Sequence, residues 1–68
     1  MIDTGEIIKA CRKYRKMSRA ELVRASGLAK QTVSHVESTK SCTVATFERL
    51  LNGMGFDIEV IPIEEWEE

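Results

Sequence analysis

The stretch SRAELVRASGLAKQTVSHVE, residues 18–37, decides how the rest of this chain is read. Ser18 stands three residues ahead of Glu21, the spacing of a capping box. In that arrangement the serine oxygen accepts an orphan N–H of the first helical turn, and the glutamate reaches back to the serine N–H. Leu22 and Val23 give the apolar side of a short helix. Gly27 ends it, because glycine tolerates the left-handed backbone of a sharp turn. A second short helix begins at Ala29–Lys30, with Val33 and Val36 inward and Lys30, Gln31, Ser34 and His35 outward.

Two short helices crossing at a glycine turn, the second with a polar outer face, make a helix-turn-helix. The segment resembles the DNA-binding core of the lambda-repressor-like, Cro-type helix-turn-helix family (the XRE group). That family's recurrent pattern reads roughly S-Q-x-E-L-A-x-x-x-G-V-S-x-x-T-I-S-x-I-E. Ser18, Glu21, Leu22, Gly27, Thr32, Val33, Ser34, Val36 and Glu37 fall in register with it. Arg12 sits where the family often carries an arginine on its first helix. Thr43-Val44-Ala45-Thr46-Phe47 resembles the start of its fourth, so the likeness covers about residues 4–55. The chain also departs from the pattern. Arg19 replaces the common glutamine, Val23 a small alanine and Ala29 the usual capping serine, and Ser38-Thr39 stands where x-Gly is usual. The lost cap is worth about 1 kcal/mol, and Val23 bears on the helix crossing.

The resemblance implies a mainly α fold: a helix-turn-helix domain of four helices, or five, over residues 1–55. It also implies a recognition helix lying in the major groove. Matched onto the family, Lys30, Gln31 and His35, with Ser34 nearby, would touch base edges. Gln31 suits adenine N6 and N7, and Lys30 suits guanine O6 and N7, each such pair discriminating by about 1–3 kcal/mol. His35 can donate from either ring nitrogen. Arg19 takes the position that grips backbone phosphate, together with Ser18 and Thr32. Lys40 and Ser41, on the polar loop 38–42, are placed to meet a second phosphate strand. The family's arginine pairs with the glutamate ending the recognition helix, here Arg12 with Glu37. Losing one partner of such a buried pair costs about 3–5 kcal/mol. The plainer alternatives are two solvated charges and a polar helix face that touches only water.

With 68 residues the chain is one small domain. Chains of this size bury only about 60% of their unfolded surface and are marginal alone. Cys11 and Cys42 sit among apolar residues on or beside predicted helices. They are expected as buried thiols, with a bridge as the alternative. One histidine and two scattered cysteines give no metal-ligand spacing, and no cofactor motif occurs. A net charge of −1 is unusual for a nucleic-acid binder, but its distribution is uneven. Residues 1–56 hold all ten Lys and Arg against five acids, a net +5, whereas residues 57–68 hold six acids and no base, a net −6. A basic module therefore carries an acidic tail.

In chain order, Asp3 or Thr4 caps a first helix running to about Lys16, lined by Ile7, Ile8 and Cys11 with Tyr14 at its edge. The basic run 12–16 is expected to contribute a general field rather than specific contacts. Thr43 caps the last helix, whose Val44, Phe47, Leu50, Leu51 and Met54 close the core over Leu22, Leu28, Val33 and Val36. Gly53 and Gly55 end it. Phe56, Ile58 and Val60 then alternate with acids, the period of a strand. A lone strand cannot satisfy its own backbone. The expectation is a dimerisation strand over 56–63, with Phe56, Ile58, Val60, Ile61 and Ile63 pairing across a homodimer, and an acidic tail over 64–68. Ile61-Pro62-Ile63 fall out of phase. Trp66 is read either as a hook for a protein partner or as a side chain folded onto the other protomer.

The leading expectation is a dimeric repressor that binds double-stranded DNA at a palindromic operator. Antitoxins with a strand after the last helix have a similar tail. That likeness implies the second reading, an autorepressing antitoxin that also binds a toxin protein. The third is an interaction module without DNA binding. An enzyme is not expected: there is no nucleophile–base pairing, phosphate loop or paired carboxylates. Without a leader or an apolar run near 18 residues, the chain reads as cytoplasmic, from a bacterium or its phage, with no membrane partner.

Overall fold

Four helices organise the chain, which a computed structural model describes over residues 3–39 and 41–65. Helix α1 (Thr4–Tyr14) is capped by Asp3, whose carboxylate accepts the Glu6 N–H at 3.0 Å. It stops short of the expected Lys16. The Arg15 N–H returns to the Cys11 carbonyl, and Lys16 takes a left-handed φ of 58°. No glycine marks this turn, so a lysine bears the strain, roughly 1–2 kcal/mol. Helix α2 (Arg19–Ser26) starts on the complete capping box. The Glu21 N–H donates to Ser18 Oγ at 3.1 Å, and the Ser18 N–H donates to Glu21 Oε1 at 2.7 Å. Gly27 ends α2 at φ 74°, donating its N–H to the Val23 carbonyl.

Helix α3 (Lys30–Thr39) follows after two residues. At its entry Ala29 offers only its carbonyl, which accepts the Val33 N–H at 3.2 Å. Helix α4 (Val44–Gly53) is capped by Thr43, whose hydroxyl oxygen accepts the Thr46 N–H at 3.2 Å. Helix α1 packs on α3 and α4, and α2 packs on the same two. Ile8, Leu22, Val33, Val36, Leu50, Leu51 and Met54 form the buried centre, ringed by Cys11, Met17, Val23, Leu28, Cys42, Phe47, Phe56 and Ile58.

Three expectations about the core need correction. Ile7 is exposed, because the buried stripe of α1 runs through Ile8 and Cys11. Val44 is also exposed: as the first residue of α4 it lies outside the stripe, which begins at Phe47. Gly53 belongs to α4 rather than ending it, and a Cβ there would stand 3.1 Å from the Ser26 Cα and N. Its bareness lets α2 and α4 approach. Cys11 and Cys42 are free thiols, and Cys42 Sγ donates to Thr4 Oγ1 at 3.7 Å.

The expected strand is not formed within the chain. Among the described residues none is in a strand, since a single segment has no ladder partner. Gly55, at φ 85°, turns the chain so that the Phe56 N–H donates to the Leu51 carbonyl at 2.8 Å. Phe56 and Ile58 pack on their own helical core. Ile63 opens a 3₁₀ turn, Ile63–Glu65, rather than extending the segment. Among the described residues no helix is long and apolar enough to cross a membrane.

Candidate nucleic-acid interface

Glu37, at the last full turn of α3, is the charged centre of the α1–α2–α3 junction, with a side chain 1% exposed. Arg12 donates to it from Nε at 3.0 Å and from Nη2 at 3.2 Å, the fork geometry suited to a carboxylate. Arg12 Nη1 also donates to the Met17 carbonyl at 3.1 Å, holding the loop between α1 and α2. Arg19 donates from Nε to the same Glu37 Oε1 at 3.1 Å. One buried carboxylate thus ties together residues from α1 and α2. The resemblance implies the buried pair with Arg12, but the second arginine is not legible in the chain. The resemblance implies only a phosphate contact for Arg19, whose side chain remains 54% exposed.

Six of the predicted site residues fall into two groups around α3. Lys30 and Ser34 line a groove between α2 and α3 together with Arg19, Ala20, Val23, Arg24 and Val33. Thr32 and His35 line a second groove on the α4 side with Val36, Ser41, Cys42, Thr43 and Thr46. Gln31 is exposed on α3 and lines neither groove. Ser18 is exposed, but its N–H and its oxygen are both engaged in the capping box with Glu21. The His35 carbonyl accepts from the Thr39 hydroxyl at 2.7 Å. Lys40 and Trp66 lie outside the described residues.

Arg15 is the cation that the sequence did not single out. Its Nε donates to the Met54 carbonyl at 2.9 Å. Its guanidinium carbon lies 4.6 Å from the Phe56 ring centroid and 5.4 Å from that of Tyr14. The signal was present only as one basic residue among four in the 12–16 run. Which of these would meet an aromatic ring depends on where Gly55 sends the chain. Burial pushes the nearby Cys11 thiol up from its ordinary value, with Arg15 partly offsetting the shift. Among the described residues no cluster of His, Cys, Asp or Glu could hold a metal ion.

Chemically, the arrangement offers hydroxyl, amide, imidazole and ammonium groups on α3, with a guanidinium at one edge. This set recognises by hydrogen bonding and charge. No protein-family model, curated protein or solved structure matches this chain.

Proposed function

We propose that this chain is a sequence-specific DNA-binding regulator of the lambda-repressor-like helix-turn-helix type, acting as a homodimer on a palindromic site. The observation that carries this reading is the α2–Gly27–α3 pair. It keeps Lys30, Gln31 and His35 exposed on one short helix, while Val33, Val36 and Glu37 of the same helix are buried. A helix anchored on one side and polar on the other suits insertion into a major groove. The net +5 over residues 1–56 suits a phosphate backbone, whatever the whole-chain charge.

Dimerisation is supported by the segment after the helices. Val60 is 92% exposed and Ile63 80% exposed, although the sequence there has an apolar, β-branched character. Pairing with a second copy would cover them and complete the backbone hydrogen bonds. Two recognition helices would then lie about 34–36 Å apart, one helical turn of DNA.

Random-site selection with the purified chain at physiological salt tests the reading, since it reports sequence, symmetry and spacing together. Gln31→Ala relaxes preference at one base position. Arg19→Ala weakens all sequences alike and lowers the salt slope by about 1. If both variants bind as the parent does, the groove assignment is wrong. Co-purification of a toxin protein, lost on Trp66→Ala, would add the antitoxin role to the same DNA-binding half.

A further inference from the structure

Glu37 is shared unequally by its two arginines. Arg12 holds it with two nitrogens and is mostly buried, whereas Arg19 donates from Nε alone and is more than half exposed. Among the described residues, the two terminal amino groups of Arg19 donate to no protein atom. Two guanidiniums against one carboxylate leave one positive charge in excess at the junction, and the exposed member carries it. Arg19 is also the first residue of α2. A cation there opposes the helix dipole, so its own helix does not account for it.

We propose that Glu37 is a positioning residue for DNA binding: it holds Arg19 by Nε, so that the two terminal amino groups are preset to grip a backbone phosphate. This rests on the DNA reading and adds how the phosphate contact is made. Guanidinium donors lie in one plane at fixed angles, so one edge can serve Glu37 while another serves a phosphate. A lysine ammonium is a point charge on a flexible stem and has no such division. An arginine held beforehand also loses less side-chain freedom on binding. Because Glu37 belongs to α3, the same contact ties the phosphate grip to the helix that carries Lys30, Gln31 and His35. Phosphate contacts set register on the duplex, and base contacts supply sequence. One buried carboxylate fixes the offset between the two.

Affinity of the full chain for a mixed-sequence DNA duplex, measured across salt concentrations, tests this with Arg19→Lys, Glu37→Gln and the double variant. Arg19→Lys keeps the charge and is expected to weaken binding about three- to tenfold at an unchanged salt slope, the range of one net hydrogen bond. Glu37→Gln removes a negative charge, which by itself favours binding to phosphate, yet a loss of similar size is expected. In the Glu37→Gln background, Arg19→Lys is expected to cost nothing further, a non-additivity that lost stability alone does not produce. Circular dichroism checks that each variant is folded. Without DNA, the Arg19 Nε–H is expected in the proton–nitrogen NMR spectrum of the parent as a signal protected from solvent exchange and missing from Arg19→Lys. Where Glu37→Gln does not fold, Arg19→Lys and this signal decide. Arg19→Lys binding equal to the parent, additive losses, or absence of the protected signal overturns the positioning role and leaves the DNA reading standing. A parent chain with no salt-dependent affinity for the duplex overturns both.

Discussion

Glu37 shows how much one side chain can decide at the residue scale. A carboxylate this buried is tolerated because two arginines donate to it. Glu37→Ala is expected to cost about 3–5 kcal/mol, since Arg12 is left in a half-buried site without its counter-charge. Arg19→Ala is expected to cost only about 0.2–1 kcal/mol, because that arginine is more than half exposed and solvent screens it. Urea unfolding of the two variants measures the contrast, and equal losses would mean that Glu37 is not the centre of the junction. Cys11 gives a pH-dependent counterpart. Its raised pKa means that the folded chain holds the thiol proton more tightly than the unfolded chain. The sign follows from linkage: this contribution is complete below the ordinary value of 9.0 and is lost as pH rises through the higher folded value. Cys11→Ala should therefore lessen the fall in urea midpoint above pH 9.0 relative to the parent. Of this scale, the family resemblance carried the Arg12–Glu37 pair. It could not carry the Arg19 contact, because family position assigns Arg19 to phosphate and says nothing of a second partner 18 residues away.

At the scale of elements, helix starts were legible and helix ends less so. Asp3, Ser18 and Thr43 announce three N-termini because a cap is a local side-chain event. The end of α1 has no such marker, since Lys16 adopts the left-handed turn that glycine usually takes. Gly53 illustrates the opposite error. Its place in the sequence suggests the end of the helix, yet it lies within α4 against the backbone of Ala25 and Ser26. Gly53→Ala is expected to destabilise by about 1–3 kcal/mol, because backbone cannot yield as a flexible side chain can. Thermal melts followed by circular dichroism would show it, and an unchanged or raised midpoint would mean that α2 has room to move. Gly27 differs in kind. A Cβ there meets only Arg49 Nη2 at an ordinary 3.4 Å, so φ 74° alone makes substitution costly.

For the whole molecule, the question is what covers the segment beyond Met54. Arg15 secures its start by stacking on Phe56, and Ile58 adds a second anchor, but Val60 and Ile63 remain in solvent. A 68-residue chain has little core to spare, so a second copy would add stability as well as symmetry. Sedimentation equilibrium should show self-association that Val60→Glu weakens without altering helix content. A parent chain that stays monomeric at all concentrations removes the ribbon.

Capping residues and apolar spacing, both local quantities, determined four helices and most of the buried centre from the chain alone. Tertiary structure decided that Ile7 and Val44 face solvent, that Gly53 admits α2, and that Arg19 shares Glu37 with Arg12. These depend on distances between residues far apart in the chain, which periodicity along one helix does not contain. The strand illustrates the boundary between the two. Its alternation is written in the sequence, but a ladder needs a partner, and one chain does not supply it.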